Sequence, residues 1–336
     1  MKQLLLLLSG AVLAVSLQAQ SWQPVADFAM TRRMCPIAFS WNGKGYIGLG
    51  HDYNAGASFN DLASFDPNTN RWTEEDFADL GNRTGAFCFV YQNILYVGGG
   101  TNDSGKTALR DFYAYDLNSR QIKPLQQLPF DKAFGAKALL AGDKAFILGG
   151  CTTDDCETML WAFDLHNQIW SRQDTLPLKT QFGYAFALQE NLYYGGGNNA
   201  KGEVTKAFWK YEPAARKWTE LHPLPGLSRT MGISIALDTI TAVAGLGFDM
   251  EGYLQQALTS RLVPGLGRVV AVRSEKGYLL RDLWLFNAGT GRWKKWKHFP
   301  DKRRNASAFI LDNKLYVGMG NAMEGITKSV YATELK

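Results

Sequence analysis

The sequence predicts an all-β fold, a six-bladed β-propeller, and three observations carry that prediction. A glycine-ended apolar hexad recurs six times along the 336 residues. In five places an aromatic residue is followed seven positions later by a large apolar one. The last repeat lacks a strand that the segment near Trp22 can supply. A period near 50 residues with four short strands per unit is what a propeller blade requires. Composition agrees, because strands favour the aromatics (13%) and tight turns use the 34 glycines. With 46% hydrophobic and 20% charged residues the chain is globular rather than disordered. Its net charge of +5 comes without a Lys/Arg run, so nucleic acid is not an expected partner.

From the N-terminus, Met1-Lys2-Gln3 is a short positive start, and Leu4 to Leu17 is an apolar stretch ending in small residues. About 14 apolar residues are short for a membrane span and fit the core of a cleaved signal peptide. Residues 1–19 are therefore expected to be removed, which takes away Lys2 alone. The mature chain, 20–336, is expected to be exported as a monomer without a membrane span, to a bacterial periplasm or the medium. It is read as one propeller with no appended anchoring domain.

The repeats define the blades. Hexads begin at Gly45, Leu95, Ala145, Leu192, Ala242 and Leu315, with spacings of 50, 50, 47, 50 and 73. The aromatic pairs follow at Phe65/Trp72, Tyr115/Ile122, Phe163/Trp170, Tyr211/Trp218 and Phe286/Trp293. Turn residues such as Asp66-Pro67-Asn68-Thr69-Asn70 separate each pair, as between antiparallel strands. Each blade thus reads as strand a (Ile37 to Trp41 in the first), strand b (the hexad), strand c (the aromatic) and strand d (the Trp). The glycine pair after strand b, the aromatic-Asp of strand c (Phe65-Asp66, Tyr115-Asp116, Phe163-Asp164) and the strand-d Trp resemble the Kelch repeat family over nearly all of the mature chain. The sixth unit stops after a strand c at Val330–Leu335, and Trp22-Gln23-Pro24-Val25 looks like a strand d, so the N-terminal strand is expected to complete the last blade without exposed edges.

Antiparallel topology puts the b–c loops and the approaches to strand a on one face. The c–d turns are constant in length and the b–c loops are not, which names the b–c face as the expected site. Blade 5 carries the largest excursion, an insertion at about 255–279 whose removal restores an ordinary spacing; it reads as a lid, a docking arm or a tolerated loop. Arg33, Arg83 and Arg303 occupy equivalent positions at the approaches to strand a, with Arg32, Lys132, Arg229 and Arg304 within a residue of that position; Arg33, Arg83, Arg229 and Arg303 are the expected ligand contacts. Around a channel mouth they would suit a carboxylate, sulfate or phosphate; the other reading is pairing with neighbouring backbone or carboxylates. Tyr53 and Tyr253 could stack on sugar faces. Cys151 and Cys156 are disulfide candidates in an exported chain, whereas Cys35 and Cys88 are open between free thiols and a bridge.

Catalytic motifs are sparse. There is no Gly-x-Ser-x-Gly, no His-Glu-x-x-His and no phosphate-cradling loop, and neither metal nor cofactor is expected. The chain also resembles, distantly, the exported Kelch N-acetylneuraminate epimerases (mutarotases). That resemblance implies a Glu directly after a strand-b glycine for acid/base work on a sugar acid. No Glu occupies that place here; Glu251 and Glu203 lie further along their loops. The expected function is therefore non-catalytic binding of a glycan or protein partner on the b–c face, with sugar-acid epimerisation in the central channel as the alternative.

Overall fold

The computed structural model describes residues 22–77, 79–102, 108–249 and 279–335. The expected leader 1–19, Glu251, Tyr253 and all of the 255–279 insertion but Leu279 lie outside the described residues. The described chain is a β-propeller. Its six four-stranded antiparallel sheets each run a-b-c-d. Blade 1 shows the plan, with Ile37–Trp41, Lys44–Gly48, Leu62–Asp66 and Arg71–Glu74 as its strands a to d. In the sixth sheet, Gln23–Pro24 pairs antiparallel with Val330–Glu334, placing Gln23 opposite Ala332. The N-terminal segment therefore supplies that sheet's outer strand.

The repeated residues have concrete jobs. A spacing of seven across the c–d turn makes the two partners direct cross-strand neighbours, as in Phe65 opposite Trp72 and Phe163 opposite Trp170. Their rings lie 5.1 and 4.9 Å apart, and each pair wedges into the gap between neighbouring sheets. A second ladder joins strands a and b: Phe39/Tyr46, Phe89/Tyr96 and Phe309/Tyr316 stack at 4.8 to 5.0 Å. Each such pair contributes about 0.5–1.5 kcal/mol beyond its buried area.

The glycine ending each hexad makes the joint between blades. Gly50, Gly100, Gly150, Gly197, Gly247 and Gly320 all take φ between +82° and +101°. A Cβ on Gly150 would sit 2.2 Å from the Lys132 carbonyl oxygen, which no side chain tolerates. From that conformation each N–H donates to the next blade: Gly50 to the Arg83 carbonyl at 2.8 Å, and so round to Gly320 and the Arg33 carbonyl at 2.9 Å. An inner cycle runs the opposite way. The N–H of Gly85 donates to Cys35, Gly135 to Gly85, Phe182 to Gly135, Met231 to Phe182, Asn305 to Met231, and Cys35 closes the cycle on Asn305, at 2.7 to 3.2 Å.

Candidate functional site: the axial mouth on the b–c face

One β-bridge per blade ties the approach to strand a onto the b–c loop: Met34 to His51, Thr84 to Thr101, Phe134 to Cys151, Gln181 to Asn198, Thr230 to Phe248 and Arg304 to Asn321. These residues form a collar around the axis, just above the inner cycle of backbone bonds.

The four arginines singled out from sequence do not line this mouth, and their reading as ligand contacts is corrected. Arg33, Arg83, Arg229 and Arg303 are 0–3% exposed. Arg83 grips both carboxylate oxygens of Asp111 at 2.8 Å, Arg229 grips Asp282 at 3.0 and 3.2 Å, and Arg33 grips Asp61 in the same two-pronged way. Arg303 pairs with Asp301 and donates to the Met319 and Ser329 carbonyls. Each guanidinium thus bolts the approach to strand a onto the ends of strands b and c of its own blade. Burial is the physical reason: a desolvated guanidinium needs a carboxylate, and a side chain so engaged has no face left for a ligand.

The other charged candidates are also committed. Arg32 donates to Asp52 at 3.1 Å, and Lys132 to Asp155 at 2.8 Å. Burial pushes the Asp52 carboxyl up, but the N–H of Asn54 and the Arg32 guanidinium outweigh it and hold the group below the usual range. Glu203 is exposed and accepts from Asn199 Nδ2 at 2.7 Å, so it shapes its own loop. Tyr53 stands 70% exposed, edge-on to His51 at 4.7 Å, which leaves a face free for stacking. Cys151 and Cys156 are joined as a disulfide, while Cys35 and Cys88 are free thiols. Among the described residues no group of three or more His, Cys, Asp or Glu is placed to hold a metal ion, and no helix is long and apolar enough to cross a membrane.

What does face the mouth is a set that sequence reasoning ranked lower or missed. Arg304 lies over the Phe248 ring at 4.9 Å, and its Nε has no hydrogen-bond partner among the described residues. Gln181 Oε1 and Asn305 Oδ1 are likewise buried without a partner. Arg304 and the exposed Glu324 line one cavity of about 250 Å³. A second cavity, of about 70 Å³, sits on the axis itself and is lined by Cys35, Gly85, Gly135, Lys137, Phe182 and Asn305 among others. Asp61 and Asp111 follow Arg33 and Arg83 by 28 residues, as Asp282 follows Arg229 once the 25-residue insertion is removed; Tyr331 stands at that distance from Arg303, so the spacing marks three of the four buried arginines and does not single out Arg304.

The comparisons agree with this geometry. The KLHDC2/KLHL20/DRC7 Kelch-repeats domain matches residues 37–232. The chain belongs to the Kelch-repeat family. Kelch-like protein 25 of Xenopus tropicalis is 26% identical over 245 residues, covering 63% of this chain and 41% of that protein. The N-acetylneuraminate epimerase of Pasteurella multocida is 25% identical over 237 residues, covering 66% of this chain and 61% of that protein. The Kelch chain described here therefore spans less than half of the former relative. The solved structure of YjhT superposes with a TM-score of 0.71 at 18% identity, over 91% of this chain and 96% of that one, a likeness of fold.

Proposed function

We propose that this Kelch propeller binds a carboxylate-bearing ligand, an acidic sugar or an acidic segment of a protein partner, at the axial mouth of its b–c face. The observation that supports the reading is Arg304: a half-buried guanidinium over an aromatic ring, with an unpartnered Nε and no ion pair among the described residues. Gln181 and Asn305 offer buried acceptors to the hydroxyls or amides of the same ligand, and Tyr53 offers a stacking face. Export after loss of residues 1–19 belongs to the same proposal and is supported by the Cys151–Cys156 disulfide, since such bonds persist in oxidising compartments.

The test is calorimetric titration with N-acetylneuraminate and glucuronate against their uncharged counterparts, alongside a panel of acidic peptides. Arg304→Ala is expected to weaken the acidic ligands about 10- to 100-fold, the worth of a charge-assisted hydrogen bond, with uncharged sugars unaffected. Equal affinity for charged and uncharged ligands would end the proposal. One observation favours epimerisation as a second reading: the Glu324 carboxylate shares the Arg304 cavity, where it could move a proton at an anomeric hydroxyl. Anomeric exchange of N-acetylneuraminate followed by NMR decides it, with Glu324→Gln expected to abolish any acceleration.

A further inference from the structure

The axial cavity carries a group that the binding reading leaves unused. Lys137 opens strand a of blade 3, at the position held by Ile37, Phe87, Tyr184, Ile233 and Ser307 in the other blades. Its side chain lines the cavity of about 70 Å³, whose other walls are cysteine, proline, alanine, glycine, phenylalanine, methionine and Asn305, with no carboxylate. No described residue gives its amine a hydrogen bond or an ion pair. Half-buried there, an ammonium loses part of its hydration and gains no counter-charge. Desolvation pushes Lys137 below the ordinary lysine range, against a weaker opposite pull from the Cys35 and Cys88 thiols. Burial in turn raises both thiols to about 12, so they face the amine uncharged at neutral pH.

A lysine amine whose pKa is lowered offers its lone pair more readily, and it is then a nucleophile toward carbonyl carbon. We propose that Lys137 is the reactive amine of a covalent carbonyl-binding site on the propeller axis, taking a small aldehyde or α-oxo acid that enters past Arg304. The nitrogen lone pair forms a bond to the carbonyl carbon while the C=O π pair moves to oxygen. The two protons of the amine pass to that oxygen, the C–O bond breaks, and one water leaves behind a C=N bond. Nothing is oxidised or reduced. A cavity of about 70 Å³ holds only a few waters, which restricts the guest to two or three carbons. The preference for an α-oxo acid rests on the anion-binding reading of Arg304; the amine chemistry does not.

Glyoxylate and acetaldehyde, each trapped with cyanoborohydride at pH 7 and read by peptide mapping, separate the two claims. Lys137 is expected to be alkylated at least about tenfold faster than an exposed lysine such as Lys217, because a lowered pKa leaves more of its amine unprotonated, with glyoxylate ahead of acetaldehyde. Lys137→Met, which replaces the amine by an apolar chain of similar length, is expected to remove the fast site and keep the melting temperature. Arg304→Ala is expected to cancel the advantage of glyoxylate and leave acetaldehyde labelling intact. Labelling of Lys137 no faster than Lys217 in the unsubstituted protein overturns the carbonyl site. Fast labelling by acetaldehyde with no gain for glyoxylate keeps that site and removes the anion-binding reading.

Discussion

A buried guanidinium must place its five N–H groups inside the fold, and Arg83 shows the cost of failing to. It reaches Asp111, the Gly81 carbonyl and the Leu80 carbonyl from a position only 1% exposed. Arg83→Met is expected to strand Asp111 and destabilise the protein by about 3–5 kcal/mol, while Arg83→Met with Asp111→Leu recovers much of that loss; urea midpoints check both. The same pairing sets an acid limit. Burial raises the Asp282 carboxyl, but Arg229 and the Trp284 indole N–H outweigh it and hold the group below its ordinary value. A folded-state pKa below the unfolded one stabilises at neutral pH and is lost as pH falls through the depressed value. Stability is therefore expected to fall below about pH 4, and less steeply in Asp282→Asn with Arg229→Gln. A structural aspartate and a ligand carboxylate ask the same chemistry of an arginine, which is why residue type and position alone left both readings open. The 28-residue spacing from Arg33 to Asp61 and from Arg83 to Asp111 was legible for those pairs, but not for Arg303, whose partner Asp301 precedes it.

At the scale of strands and turns nearly everything was written in the chain, because the constraints there are local. A φ of +100° at Gly150 admits no side chain, and a seven-residue spacing admits only a cross-turn pair. The c–d turns are closed by the aspartate after the strand-c aromatic: Asp116 Oδ1 accepts the N–H of Asn118 at 2.8 Å and of Ser119 at 2.9 Å. Those bonds hold the half-buried Asp116 carboxyl below the usual range. Asp116→Ala is expected to lower the melting temperature and to loosen hydrogen exchange at Asn118 and Ser119, while Asp116→Asn keeps most of both. The b–c loops were less legible, since their conformations depend on neighbours far along the chain. The blade 3 loop is the exception, pinned by Cys151–Cys156. Replacing both cysteines by serine is expected to cost about 2 kcal/mol, the chain-entropy value for so short a loop, and to leave the axial mouth unchanged in ligand titrations.

For the whole molecule the deciding feature is closure. Two cycles of backbone hydrogen bonds, running in opposite senses, couple every blade to both neighbours. Strain in one blade is thereby shared, which lets Cys35, Phe182, Met231 and Asn305 hold left-handed φ of +49° to +60° without glycine. The cycles and the seat of Arg304 over Phe248, without an ion pair among the described residues, arise only when the six repeats curve round an axis, so period and pattern could announce the ring but not which side chains it leaves facing inward. Closure also depends on one short strand. Beyond the pairing of Gln23 and Pro24 with Ala332 and Tyr331, the Val25 N–H donates to the Val330 carbonyl and the Phe28 N–H to Lys328, both at 3.0 Å. Trp22 meets Phe299 edge-on at 4.8 Å, and Phe28 is buried against Trp72 of blade 1. A chain beginning at Trp22 keeps all of these contacts and is expected to unfold at the same urea concentration as the full-length protein. A chain beginning at Met30 uncovers the edge of Val330–Glu334 and loses two aromatic anchors, which together cost about 5 kcal/mol or more. It is expected to unfold earlier and to associate through the open edge in size-exclusion runs; an unchanged midpoint with a monomeric profile would mean that the ring holds without its N-terminal strand.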